Sequence, residues 1–255
     1  MDRDSGNLTY IHSVESLWSP EGEKFQREKY IPKIELLKKH LRRPIGEARL
    51  LDVGVGYGFF LQLVEKDYGV KDIFGMDPFP DSIEIASRHT SARIERGDIN
   101  DDKWPFDSRS FDIITSFDVV EHLVDPSAFF RKAGDYLGDG GLVLVTTPNR
   151  QLPYLMRSLP WFGLPDRNTT HINVRRPAYW KRLATQNGFR ILEAWKGEHL
   201  THTRVFPRLL RNICSAARLD HRKIPLVNSF EQSFCMILTP AGSPPAGDQP
   251  ERQGQ

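Results

Sequence analysis

Three glycines at alternate positions, Gly54, Gly56 and Gly58, follow the apolar run Leu50-Leu51-Asp52-Val53 and precede Phe59-Phe60. The pattern reads as a buried strand, a glycine loop and the opening of a helix, a junction that lays backbone rather than side chains against a ligand. A second apolar run, Ile73-Phe74-Gly75-Met76, ends on Asp77, roughly 20 residues further on, where a carboxylate grips ribose hydroxyls. The ligand expected is adenosine-based. A dinucleotide site wants G-x-G-x-x-G/A, but the bulky Phe59 stands at the last small position and Gly58 falls one place early, which makes a poor pyrophosphate seat. No G-x-x-x-x-G-K-S/T run occurs, so a P-loop is not supported. An adenosyl ligand without phosphates fits better, and S-adenosylmethionine is the one expected. The plain alternative is an ordinary strand-to-helix turn.

A third acid, Asp98, stands in Gly97-Asp98-Ile99 after a short strand. Open α/β sheets bind ligands at the carboxyl ends of their strands. A carboxylate there can accept the adenine amino group, while Ile99 offers its amide and an apolar face. The plain alternative is a turn aspartate that caps its own loop.

These residues need a scaffold. The chain has 255 residues, 39% hydrophobic and 27% charged, enough for one α/β domain with appended pieces. A net charge of +2 is too balanced for wholesale nucleic-acid binding. Cys214 and Cys235 make neither a disulfide framework nor a zinc site. The polar start Met1-Asp2-Arg3-Asp4-Ser5 has no apolar signal core behind it, and no apolar run is long enough to span a bilayer. The expectation is a soluble protein in a reducing cytoplasm.

Residues 1–48 read as an N-terminal helical cap, helical over Pro20–Leu41 but split in two at Pro32, which lacks a backbone donor. The pieces can lie over the mouth of the glycine loop. From Arg49 strands and helices alternate: strand 49–53, helix 59–67, strand 72–77, helix 81–89, strand 92–95, strand 111–116, helix 126–136 and strand 142–147. Such alternation means a parallel sheet covered on both faces. Gly138, Gly140 and Gly141 are read as a helix stop and turn. Residues 148–175, with four prolines and the aromatics Tyr154, Trp161 and Phe162, read as a lid or substrate loop. Pro177 opens a helix that Gly188 closes. Strands follow at 189–194 and 230–238. The tail 240–255 is expected to be disordered.

The run from Leu51 to Trp195 resembles the class I S-adenosylmethionine-dependent methyltransferases, and most strongly the small-molecule group that includes ubiquinone-pathway O-methyltransferases. The residues that carry the resemblance are Leu51-Asp52-Val53-Gly54-x-Gly56-x-Gly58, Asp77, Gly97-Asp98-Ile99, Phe111-Asp112 with Glu121-His122, Gly140-Gly141-Leu142-Val143-Leu144 with Thr147-Pro148-Asn149, and His171 ahead of the helix ending at Gly188-Phe189. The resemblance implies a Rossmann-like, doubly wound seven-stranded sheet over 49–239, mostly parallel with an antiparallel last strand. It implies that Asp52 shapes the loop near the methionine end, that Gly54, Gly56 and Gly58 lie against the cofactor, and that Asp77 binds ribose. Asp98 and Ile99 hold adenine, and Phe117 lies near the sulfonium. Pro78 directly after Asp77 departs from the pattern but leaves the carboxylate free.

A hydroxyl nucleophile must lose a proton, and histidine is tuned for that near neutral pH. His122 and His171 are the candidate bases, both at positions the family places on the substrate side. His171 is preferred because it follows the expected lid. Backbone hydrogen bonding is the plain alternative for each. Some relatives are known for a divalent ion. Asp118, Glu121 and His122 stand at i, i+3 and i+4 and would share a helix face; with His171 they could hold such an ion, although metal dependence is not the reading adopted. Between Arg204 and Lys223, Phe206, Leu209, Leu210, Ile213 and Ala217 form one helical stripe. Arg208, Arg211, Arg218 and Arg222 lie opposite. This basic amphipathic helix can meet anionic lipid or a phosphate-bearing substrate, consistent with a quinone precursor, glycolipid or polyprenyl-linked sugar. The expected function is methyl transfer to a small-molecule hydroxyl. An RNA 2′-O-methyltransferase, a non-catalytic cofactor-binding partner and a nicotinamide oxidoreductase are the alternatives, the last disfavoured by Phe59.

Overall fold

The computed structural model describes residues 17–149, 170–197 and 233–243, with Ile213, Ala216 and Ala217 besides. Helix α1 (Pro20–Lys38) precedes β1 (Arg49–Val53), α2 (Phe59–Tyr68), β2 (Asp72–Asp77), α3 (Pro80–Ser87), β3 (Arg93–Arg96), β4 (Phe111–Phe117), α4 (Pro126–Tyr136), β5 (Leu137–Pro148), α5 (Pro177–Gln186), β6 (Phe189–Gly197) and β7 (Ser233–Pro240). The seven strands form one sheet in the order β3-β2-β1-β4-β5-β7-β6. β1 pairs in parallel with β2 and β4, and β4 with β5. β7 runs antiparallel to both of its neighbours, β5 and β6. The fold expected from the resemblance is therefore present, with the antiparallel strand inserted next to the edge.

Successive strand residues face opposite sides of a sheet, and both sides here are covered. Leu51, Val53, Ile114, Val143 and Val145 pack with Phe129 and Phe130 of α4 and Trp180 of α5. Leu50, Ile73, Ile113, Leu144 and Ile237 pack with Ile34 and Leu37 of α1 and Phe60, Leu61 and Val64 of α2.

Three expectations need correction. First, α1 runs unbroken through Pro32. Ser19 caps its start by accepting the Gly22 amide at 3.2 Å, and Tyr30, Ile34 and Leu37 are buried on either side of the proline. Tertiary burial of that stripe outweighs a local cost of about 3 kcal/mol. Second, Gly138, Gly140 and Gly141 lie inside β5, whose first residue caps α4 in an extended conformation. Leu137 pairs with Phe111 and Leu142 with Ile113, so the glycines form an irregularity within the strand. Gly140 has φ +73°. Third, the tail begins in order: Pro240 pairs with Phe189, and the Ala241 amide donates to Gly188 O at 2.8 Å.

Residues 150–169 of the expected lid, and Arg208, Arg211, Arg218 and Arg222 of the basic helix, lie outside the described residues. So do Cys214 and most of the tail. Among the described residues Cys235 is buried, and no helix is long and apolar enough to cross a membrane.

Candidate active site

The glycine loop leaves β1 at the centre of the sheet. Its residues 54 and 55 donate backbone hydrogen bonds to Met76 O at 2.8 and 3.2 Å, which ties the loop to the end of β2. Gly54, Gly56 and Gly58 have φ of +85°, +52° and +83°, conformations that L side chains rarely adopt. Two of them are also crowded: a Cβ at Gly54 would stand 2.5 Å from Val119 Cγ2, and one at Gly58 2.8 Å from Ala86 Cβ. Around Gly56 a Cβ would meet nothing within 4 Å. That open side is a cradle in which a ligand can approach the backbone.

Asp77 is buried, and its two oxygens accept the Gly56 and Phe79 amides, each at 3.0 Å. Burial raises its pKa, and the two amides pull the other way. The expected ribose ligand therefore also shapes the glycine loop. Asp52 is buried beneath the loop with Oδ1 accepting Thr115 Oγ1 at 2.6 Å. Burial first, then the charge of Asp77, push its pKa to about 7 against the lowering effect of Thr115. Ile99 is buried just past β3. Asp98 Oδ1 accepts both the Asn100 amide and its side-chain nitrogen, at 2.8 and 2.9 Å, so it caps its own turn. The Phe117 ring packs on Tyr30 and Phe60 at centroid distances of 4.8 and 4.6 Å.

Beyond β4 the chain does not continue as a helix. Asp118 takes φ +56°, and a 3₁₀ turn spans only Val120–His122. The shared helical face expected for Asp118, Glu121 and His122 is thus absent. Asp118 Oδ2 accepts from Lys29 Nζ of α1 at 2.9 Å, and Oδ1 from Thr146 Oγ1 at 2.9 Å. Glu121, His122 and His171 come together instead, with one ligand atom of each within 4.8 Å of the others. Glu121 is fully buried, and neither carboxylate oxygen has a hydrogen-bond partner among the described residues. Burial, then the charge of Asp118, raise its pKa well above the carboxylate range.

His122 Nδ1 lies 3.0 Å from Thr170 O and 2.9 Å from Thr170 Oγ1. A carbonyl only accepts, and the tautomer in which Nδ1 donates to it leaves the lone pair on Nε2. Burial, and then His171, lower the His122 pKa. The two imidazole rings stand 4.7 Å apart. The segment that carries His171 is fastened by Asn173, whose amide donates to Glu121 O at 2.8 Å and whose side-chain nitrogen donates to Leu123 O. Arg175 holds the Asn173 oxygen with two hydrogen bonds at 3.2 and 2.9 Å.

Lys29, Thr170 and Asn173 were not read from the sequence. Lys29 had a weak signal: it lies one turn before the buried Lys33 and next to the buried stripe of α1. Asn173 had none, since its partners lie about 50 residues away.

A family model described as "Methyltransferase domain" matches residues 23–194. A ubiquinone biosynthesis O-methyltransferase from Azorhizobium caulinodans is 29% identical over 131 residues, which covers 46% of this chain and 51% of that protein. The chain thus spans about half the length of this curated relative. Among solved structures, the PH0226 protein of Pyrococcus horikoshii superposes with a TM-score of 0.59 at 19% identity, over 87% of this chain and 92% of that one. An S-adenosylmethionine-dependent methyltransferase from Mesorhizobium loti gives 0.56 at 18% identity, over 80% and 95%. At these identities the structures show the shared fold. The chain belongs to the class I S-adenosylmethionine-dependent methyltransferases. In this methyltransferase the glycine loop, Asp77 and the turn at Ile99 line one edge of the sheet, and the histidine pair stands beyond β4 on the same edge.

Proposed function

We propose that this methyltransferase methylates a hydroxyl oxygen of a small-molecule acceptor, with His122 as general base. When bound, S-adenosylmethionine supplies an electrophilic methyl on a sulfonium that leaves as a neutral thioether. The open backbone at Gly56, with Asp77 and Ile99, is the place where its adenosine part would be held. His122 Nε2 takes the acceptor proton as the oxygen–carbon bond forms and the carbon–sulfur bond breaks. The observation that carries the reading is the contact of His122 Nδ1 with Thr170 O: with Nδ1 donating to that carbonyl, Nε2 is the nitrogen that accepts a proton. This shifts the preference from His171, which stands beside it as a second polar contact for the acceptor. The name of the curated relatives supports oxygen as the target.

The test is a panel of catechols, simple phenols, sugars and amines incubated with S-adenosylmethionine, read by mass spectrometry for an added methyl group. Turnover of a hydroxyl acceptor that is abolished in His122→Gln supports the proposal. Turnover confined to amines sinks it.

A second reading rests on Glu121, His122 and His171 as a donor set of one carboxylate and two imidazoles. The buried carboxylate without a hydrogen-bond partner among the described residues fits a cation there. A divalent ion would lower the pKa of an acceptor hydroxyl. Asp118 is not in the set, because Lys29 and Thr146 hold it. Loss of activity on treatment with a chelator, restored by Mg²⁺ or Mn²⁺, favours this reading; full activity in chelator removes it.

A further inference from the structure

The two halves of α1 are attached to the domain in different ways. Beyond Pro32, Lys33, Ile34 and Leu37 are buried, whereas Tyr30 is the one buried residue between Pro20 and Ile31. The first half is held mainly at its ends. At the near end the Tyr30 ring stands 5.4 Å from Phe60 and 4.8 Å from Phe117. At the far end the Trp18 indole, just before the helix, is stacked between the Phe59 ring at 3.7 Å and the His89 ring at 3.6 Å. The indole Nε1 is buried without a hydrogen-bond partner among the described residues, so the Trp18 ring is held by stacking rather than by a hydrogen bond. Between the ends, Arg27 pairs with Asp67 of α2, both side chains partly exposed, a contact that adds little.

The joint between the halves is weakened twice. Pro32 has no amide hydrogen to give, and its ring crowds the preceding turn. One residue on, the Lys33 ammonium donates to the Lys29 carbonyl, which inserts a side chain into the backbone ladder. Prolines and inserted side chains are the places where helices bend. Pro32 is itself exposed, so packing of its ring does not pin the joint.

The position of the first half gives this construction a use. Phe59 directly follows Gly58, and Phe117 ends β4, the strand beside β1. From Trp18 to Tyr30 the chain therefore runs from one flank of the glycine loop to the other.

We propose that Pro20–Ile31 is a door: it swings at Pro32, is latched by the Trp18 ring in the slot between Phe59 and His89, and sets how fast an adenosine ligand enters and leaves the glycine loop. This rests on the reading that the chain binds S-adenosylmethionine. A latch closed in both the free and the bound protein slows entry and exit by the same factor, and so governs exchange without governing affinity.

The test is stopped-flow measurement of S-adenosylhomocysteine association, with dissociation followed by chase with excess sinefungin. Trp18→Ala is expected to raise both rate constants about fivefold or more, as for the loss of two aromatic pairs, while their ratio stays nearly constant. Pro32→Ala, which restores the missing backbone donor, is expected to lower both by about threefold. His89→Ala removes one wall of the slot and keeps the stack on Phe59; it is expected to raise both rates about twofold or more, and it decides on the same criteria if Trp18→Ala fails to fold. Unchanged association in the latch variants, with faster dissociation alone, overturns the proposal, because the stack then belongs to the bound state only. Unchanged rates in the latch variants overturn it as well, and so does faster exchange in Pro32→Ala. Failure of the wild type to bind S-adenosylhomocysteine overturns the cofactor reading itself, and the proposal with it.

Discussion

His122, the proposed base, stands in surroundings that tune its imidazole. Burial and a neighbouring imidazole lower its pKa, so it stays neutral to more acidic pH than an ordinary histidine. The acid limb of kcat/KM is therefore expected below pH about 6.5, and a limb above that value would contradict the assignment. His122→Gln should lower kcat by about 10²–10⁴-fold while leaving the calorimetric affinity for S-adenosylhomocysteine within experimental spread. Lys33 makes a different prediction. It is buried on the inner face of α1, and desolvation lowers its pKa to about 8. Because the folded value lies below the unfolded one, the unfolded chain binds more protons between them. Stability then rises with pH from about 8 to 10.5, and the cost is fully present at neutral pH. Lys33→Met should stabilise the protein at pH 7 by up to about 3 kcal/mol. The gain should shrink as pH rises toward 10, as followed by urea unfolding across that range.

At the scale of elements, the candidate site is a meeting of two segments. The turn 119–123 carries Glu121 and His122, the stretch 170–175 carries His171, and Thr170 and Asn173 join them. Asn173→Ala removes one buried hydrogen bond and leaves the Leu123 carbonyl bare, a cost of about 1–3 kcal/mol. It should depress methyl transfer more than cofactor affinity, and comparison of kcat with the S-adenosylhomocysteine Kd checks this. Gly58→Ala should act on the other half of the site. Its Cβ would press on Ala86 in a left-handed backbone, so cofactor affinity should fall along with a loss of about 1–3 kcal/mol in stability. The sequence announced the glycine loop and the acid at Asp77 because local spacing alone defines them. It could not announce the Lys29–Asp118 pair or the Asn173 clasp, which join residues 89 and 50 positions apart and depend on strand order. Periodicity also misjudged two local cases. Pro32 reads as a breaker unless the packing on both sides of it is known. The glycines after Leu137 read as a turn unless the neighbouring strand is seen to absorb them.

For the whole molecule, alternating patterns located the strands through β6 to within a few residues of their observed ends, with the glycine-rich start of β5 the largest miss. The lateral order, with β7 between β5 and β6, carries no periodic signal; the resemblance implied only that the last strand runs antiparallel. On the proposed reading the cofactor site draws on the glycine loop, β2 and the turn past β3, so ligand binding should brace the domain. S-adenosylhomocysteine at about a hundredfold its Kd should add about 2.7 kcal/mol to unfolding, seen as a higher Tm, whereas NAD at the same concentration should leave Tm unchanged. The placing of β7 also bears on biosynthesis. Within the described sheet β6 touches only β7, which leaves the ribosome after it. Until residues 233–240 emerge, β6 has no edge to join, and the flank of β5 remains an open template for strands of neighbouring nascent chains. The interval between the emergence of residue 197 and that of residue 233 is thus the time in which this flank stands open to a neighbouring chain.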